Sequence, residues 1–108
     1  MARVVAVAAD LMLGSKIEAT LSAAGHEVTL APSLQEAPLD EAELLVADLE
    51  VENPEALVGF GIPVLGYYSH VQADTRRLAE AAGVDLVAPR SRLARELPEL
   101  AERLLSAP

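Results

Sequence analysis

A chain of 108 residues is long enough for one domain. Its 17 Asp and Glu against 8 Lys and Arg give a formal net charge of −9, which argues against nucleic acid and anionic membranes as partners. No cysteine is present, so disulfides and thiolate metal sites are excluded. The first apolar run, Val4–Ala9, is too short for a signal sequence. We therefore expect a soluble, cytoplasmic protein of a single domain.

The charge is unevenly distributed along the chain. Residues 17–75 contain eleven acidic residues and no Lys or Arg, whereas residues 76–108 contain six Arg. This pattern predicts a molecule with one acidic side and one arginine-bearing side, and binding that depends on salt.

Five short runs rich in Val, Leu and Ala alternate with helical segments, which is typical of a parallel α/β sheet. The predicted strands are Val4–Ala8, Glu27–Leu30, Leu44–Ala47, Pro63–Tyr67 and Val84–Ala88. Five strands in this length predict a flavodoxin-like sheet of order 2-1-3-4-5 with helices on both faces. A fragment of a Rossmann domain is the rival, but the glycine-rich turn that it needs after strand 1 is missing.

Capping signals mark the starts of the predicted helices. Capping boxes of Ser and Glu or Gln three residues apart predict starts for the first, second and fourth helices, at Ser15, Ser33 and Ser69. The second helix should be short because Pro38 ends it.

The remaining helices are predicted from prolines, glycines and one serine. The third helix begins at Asn53-Pro54 and is closed by Gly59 after little more than a turn. The fourth covers about residues 70–82. Ser91 is the predicted cap of the fifth helix, which Pro98 should kink or split.

Polar residues gather where the predicted strands end. In a parallel sheet these ends meet at one edge, where ligands bind. Asp48 is the most informative, because a carboxylate directly after four apolar strand residues can hold a cation or accept a phosphoryl group. A solvated carboxylate that caps a loop is the alternative. The full set is Asp10, Asp48, Tyr68, Ser69, His70, Pro89, Arg90 and Ser91.

Three segments resemble the receiver domain of bacterial response regulators: Leu44–Leu49, Ile62–Leu65 and Gly83–Ser91. The resemblance implies that Asp48 matches the phospho-accepting aspartate and that Arg90 stands at the lysine that contacts the phosphoryl group. It also implies a receiver-like fold and a role in signal transduction.

The chain departs from the receiver pattern at the Mg²⁺ ligands and at two further positions, near the ends of strands 4 and 5. Receivers hold Mg²⁺ with an acidic pair after strand 1, where this chain has Ala8 and Ala9, so only Asp10 and Asp48 remain as weak metal ligands. The Ser or Thr expected after strand 4 falls on Tyr68, and the strand-5 aromatic falls on Val87. The chain therefore resembles a degenerate receiver, or pseudo-receiver, in which phosphorylation of Asp48 is disfavoured.

Two functions follow from the sequence. The first is a stand-alone regulatory module, without an output domain or enzymatic activity, that binds a protein partner through its helix 4–strand 5–helix 5 face. A homodimer is left open, and Mg²⁺ is the one cofactor considered. The second is an anion or nucleotide site formed by Ser69, His70, Arg90 and Ser91, with helix N-termini and a guanidinium as donors. The alternative is that Ser69 and Ser91 are ordinary helix caps, that Arg90 pairs with Asp48 or Asp10, and that His70 is a surface residue of a first helical turn. His26 is interpreted as structural or solvent-facing.

Overall fold

The computed structural model describes residues 2–69 and 73–106. In these residues a five-stranded sheet alternates with four α-helices and two 3₁₀ turns, η1 and η2. None of the described helices has the length and apolar character needed to span a bilayer. The elements in chain order are β1 (Arg3–Val7), α1 (Leu11–Ala23), β2 (Glu27–Ala31), η1 (Leu34–Glu36), β3 (Leu44–Asp48), α2 (Pro54–Leu57), η2 (Val58–Phe60), β4 (Val64–Tyr68), α3 (Ala73–Ala82), β5 (Leu86–Pro89) and α4 (Arg90–Leu105).

The sheet is parallel throughout, in the order β2-β1-β3-β4-β5, which confirms the predicted flavodoxin-like topology. The three central strands are almost entirely buried, as expected for strands covered on both faces. The register pairs Asp48 at the end of β3 with Tyr67 on β4. Both side chains therefore lie on the same face of the sheet, at its carboxyl edge.

Each face of the sheet has its own hydrophobic core. On one face α1 and α4 pack over Val4, Ala6, Val46 and Tyr67, and we call this the inner face. On the outer face α2 and α3 cover only part of the sheet, and partly buried residues from the loops complete the core. The inner face is thus covered by the two longest helices, and the outer face by shorter helices and loops.

The short second and third helices were correctly predicted, but the second is reduced to η1. There the Ser33 hydroxyl donates to the Glu36 carboxylate and makes no bond to a backbone N–H, so the predicted capping box does not form. The third helix starts as predicted, because the Asn53 side chain accepts from the backbone N–H of Glu55 and Pro54 needs no acceptor at the first position.

Two predicted caps were wrong because both helices begin earlier than the capping serines. α1 begins at Leu11, and its cap is Asp10, so Ser15 lies inside the helix. α4 begins at Arg90 directly after Pro89, so Ser91 is its second residue and no side chain caps it. Pro98 lies within α4, which continues to Leu105 without splitting.

β5 begins at Leu86, two residues later than predicted. The Val84 N–H donates back to the Ala79 carbonyl and finishes α3, with Gly83 at φ +103° between them. Glycine is the residue that adopts this left-handed conformation without steric cost, so the helix ends there. Asp85 then accepts from the Val64 N–H at the start of β4.

Candidate functional site

The candidate site lies at the carboxyl edge of the sheet, where β1, β3 and β5 end close to the first turns of α1 and α4. Asp10 directs one carboxylate oxygen at the free N–H groups of Met12 (3.0 Å) and Leu13 (3.2 Å). Its other oxygen accepts from the Arg90 Nη2 at 2.9 Å. Asp10 is therefore both a helix cap and the partner of Arg90, which leaves it little capacity for another ligand.

The two aspartates of the site experience opposite electrostatic environments. The hydrogen bond from Arg90, followed by that from the Leu13 N–H, lowers the pKa of Asp10. Burial raises the pKa of Asp48, although its Oδ1 accepts from the Glu50 N–H at 2.9 Å. Burial thus disfavours the charged form of Asp48, whereas hydrogen bonds favour the charged form of Asp10.

Asp48→Asn is expected to raise the melting temperature at pH 7. A carboxyl whose folded pKa is raised contributes stability below its unfolded pKa, about 3.9, and loses that contribution as the pH rises through the folded value. The gain should therefore shrink towards pH 3. Asp10→Asn is the matched control, since asparagine also caps helices. It should lower the melting temperature at pH 7, and its effect should fade in acid. Thermal unfolding across pH 3–8 measures both, and parallel profiles for the two variants would contradict the assignment.

Ser69 and Arg90, two of the predicted anion-binding residues, are each bonded to a carboxylate of the protein itself. Both the N–H and the hydroxyl of Ser69 donate to Glu50, at 2.7 and 2.9 Å, and Arg90 donates to Asp10. Ser91 is exposed on the first turn of α4. His70 lies outside the described residues. No hydrogen bond or ion pair of the described residues joins Ser69, Arg90 and Ser91, and anion binding there stays a prediction.

Tyr67 belongs to the site and was missed by the sequence analysis. Its side chain is 0% exposed, and its hydroxyl has no hydrogen-bond partner among the described residues. Burial, and then the charge of Asp48, raise the pKa of this phenol, while Arg90 lowers it. The charges of Asp48 and Arg90 therefore both act on the hydroxyl of Tyr67. Tyr68, which the sequence favoured, faces the outer core instead.

The residues present do not fit the Mg²⁺ ion that the resemblance implies. Within residues 2–69 and 73–106, no group of three or more His, Cys, Asp or Glu could hold a metal ion. Mg²⁺ requires near-octahedral oxygen ligation, and the carboxylate of Asp10 is already shared between Arg90 and two backbone N–H groups. The Arg90 guanidinium supplies positive charge at this edge.

Comparison with solved structures identifies the fold of the chain. No family model and no curated protein sequence matches the chain. Among solved structures it is similar to the non-phosphorylated HemR receiver domain of Leptospira biflexa, with a TM-score of 0.84 and 21% identity over 100% of this chain and 97% of that one.

Two further structures have the same architecture. The chemotaxis protein CheY4 of Vibrio cholerae has a TM-score of 0.79 and 17% identity over 96% of this chain and 98% of its own. HP1043, an orphan response regulator of H. pylori, has a TM-score of 0.79 and 19% identity over 96% of each chain. The protein thus has the flavodoxin-like fold of response regulator receiver domains.

Proposed function

We propose that the protein is a receiver-like module of signal transduction that acts in the cytoplasm by binding another protein, without catalysis of its own and without magnesium-dependent phosphorylation of Asp48. The receiver fold supports the first part. The single observation that carries the second is the Asp10–Arg90 ion pair, in which the first carboxylate after β1 is bonded to a guanidinium.

The chemistry of phosphoryl transfer explains why that ion pair matters. A phosphoryl group that moves to a carboxylate brings negative charge to an already negative site, and a bound cation normally neutralises it. Arg90 is the one cation bonded in this site among the described residues, and its guanidinium already donates a hydrogen bond to Asp10. Asp48 is also partly buried with a raised pKa, so further negative charge there is unfavourable.

The partner surface that we propose consists of α3, β5 and α4, which meet at one edge of the sheet. Leu78 on α3 is 62% exposed there, a large apolar side chain suited to an interface. Several arginines of α3 and α4 pair within their own helices, Arg76 with Glu80, Arg77 with Asp74 and Arg92 with Glu96. Exposed pairs of this kind contribute little to folding, so these arginines can exchange partners with an acidic protein. A homodimer would use the same surface.

Treatment of the purified protein with acetyl phosphate and Mg²⁺ is expected to give no phosphorylated species. The reason is that the described residues around Asp48 do not form a site for the Mg²⁺ ion that would neutralise the charge of the phosphoryl group. Intact-mass spectrometry at intervals from seconds to hours detects the adduct of about 80 Da that one phosphoryl group would add. An adduct that is present in the wild type and absent in Asp48→Asn would overturn this part of the proposal.

A variant with an acidic pair at positions 9 and 10, one place beyond the position of the receiver pair, serves as the positive arm of the same experiment. Ala9 is exposed and next to Asp10, so Ala9→Asp adds a carboxylate without burying it. In the double variant with Arg90→Lys, the guanidinium fork that holds Asp10 is lost as well. This variant is expected to form the adduct in a magnesium-dependent manner. If it also remains unmodified, the block does not lie in the Asp10–Arg90 pair and that explanation is wrong.

A further inference from the structure

The outer face of the sheet is incompletely covered on the side of β2. Between β2 and β3, residues 32–43 form a single 3₁₀ turn where an α/β fold of this kind normally places a helix. Thr29 on β2 pairs with Val5, so it lies on the outer face, and its side chain is exposed. Part of the layer that should cover this face is therefore missing.

A groove lies beside this uncovered region, and we call it the η1 groove. It has a volume of about 680 Å³. Phe60, the only phenylalanine of the chain, is 48% exposed on its wall. Half-exposed aromatic side chains on a concave surface are typical anchors of binding sites. The groove is lined by Leu34, Gln35, Ala37, Leu39, Asp40, Glu52 and Phe60.

The surroundings of the η1 groove are acidic. Asp40 and Glu52 lie on its walls, and the chain has no Lys or Arg from residue 17 to residue 75. A neighbouring cavity of about 480 Å³ shares Asp40 and adds Glu27 and Glu41. The one basic residue of that cavity, Arg3, is paired with Glu27 and Glu41. The groove thus combines apolar walls with unbalanced negative charge.

We propose that the η1 groove binds a basic, amphipathic helix of a protein partner, which supplies the missing layer of the outer face. An apolar stripe on the helix would pack against Phe60 and Leu39, and Lys or Arg beside the stripe would face Asp40. The charge complementarity selects a cationic segment and raises its association rate. This surface is distinct from the α3–β5–α4 surface and does not depend on the function proposed above.

The test uses a fluorescein-labelled 14-residue helical peptide of Leu and Lys, titrated with the full-length protein and followed by fluorescence anisotropy at about 150 mM salt. We expect Phe60→Ala to weaken binding about tenfold, because truncating an interface anchor has effects of this size. Leu11→Ala is the matched control, since Leu11 is also exposed and apolar but lies on α1, outside both proposed surfaces. It should leave the affinity within about twofold, the scatter expected outside a hot spot.

Charge variants separate the groove from the general acidity of the protein. Asp40→Asn and Glu18→Gln each remove one negative charge, the first in the groove and the second on α1. Only Asp40→Asn is expected to weaken binding. Melting curves establish that all four variants fold.

Four results would overturn the proposal. They are no binding by the wild type, equal loss in the groove and control variants, equal binding of a Leu/Glu peptide, or dimerisation that Phe60→Ala abolishes, since the last would identify a second copy as the occupant.

Discussion

Tyr67→Phe is expected to stabilise the protein, although it removes a polar group from a fully buried side chain. A buried hydroxyl without a hydrogen-bond partner costs about 1–3 kcal/mol of stability, and the phenylalanine ring keeps the same shape without that cost. The melting temperature should rise by about 4–8 °C for each kcal/mol gained in a domain of this size. Urea unfolding and thermal melting measure the effect.

Tyr68→Phe is the control for this prediction. Tyr68 is also buried, at 5% exposure, but its hydroxyl is not among the buried atoms that lack a partner. We expect the gain to be smaller at this position. A lower stability for Tyr67→Phe would show that the hydroxyl forms a bond in solution, and would contradict its assignment as a buried group with no partner among the described residues.

A gain in stability from Tyr67→Phe would indicate that Tyr67 belongs to a functional site. Proteins tolerate destabilising groups mainly at functional sites, where the group is needed for a purpose other than folding. Tyr67 and the partly buried Asp48 are paired across β3 and β4, and each carries an unfavourable polar group. If both Tyr67→Phe and Asp48→Asn stabilise the protein, two groups that lower its stability lie side by side at the carboxyl edge of the sheet, as expected for a functional site.

Gly66→Ala is expected to destabilise the protein by about 1–3 kcal/mol, the usual cost of adding a methyl group to a packed core. A Cβ at Gly66 would lie 2.7–2.9 Å from Cδ2, Cγ and Cδ1 of Leu49. Because Cγ is among them, a rotation of one methyl group cannot relieve the overlap. Leu49 directly follows Asp48, so the displacement should also disturb the candidate site.

Gly59→Ala is the matched control for this prediction. A Cβ there would meet no atom within 4 Å, and the backbone of Gly59 does not have a positive φ. The same substitution should therefore be neutral, or stabilising by about 0.4–1 kcal/mol through the unfolded state. Urea unfolding compares the two. Equal effects would show that Leu49 moves aside without cost, and that the packing at β4 is looser than described.

The sheet could be predicted from the sequence because its strands are short apolar runs separated by helix signals. Their continuous apolar character, rather than an alternation of polar and apolar residues, indicated parallel strands. The order 2-1-3-4-5 followed from their number and spacing and is confirmed. The errors lie at the ends of elements, where a cap depends on the neighbouring strand: Asp10 ends the connection from β1 and takes the capping role that Ser15 was expected to have.

The site was harder to predict because its contacts join distant residues. The pairing of Arg90 with Asp10 or Asp48 was left open, since strand ends place both carboxylates at one edge without distinguishing them; the structure joins Arg90 to Asp10. Tyr67 could have been found from strand alternation, which places it on the face that Asp48 shares. His26 agrees with its interpretation as structural, since its Nδ1 accepts from the Ala2 N–H at 3.3 Å.

The Asp10–Arg90 ion pair has a consequence for the order of folding. It joins residues 80 positions apart, and β3 and β4 lie between β1 and β5 in the sheet. Closing so long a loop costs conformational entropy, so we expect this contact to form after the intervening strands have paired. Until α4 docks beside α1, the inner face stays open and the edge at Asp48 has no bonded cation. α4 therefore both closes the inner core and brings the guanidinium that balances the negative charge of the site.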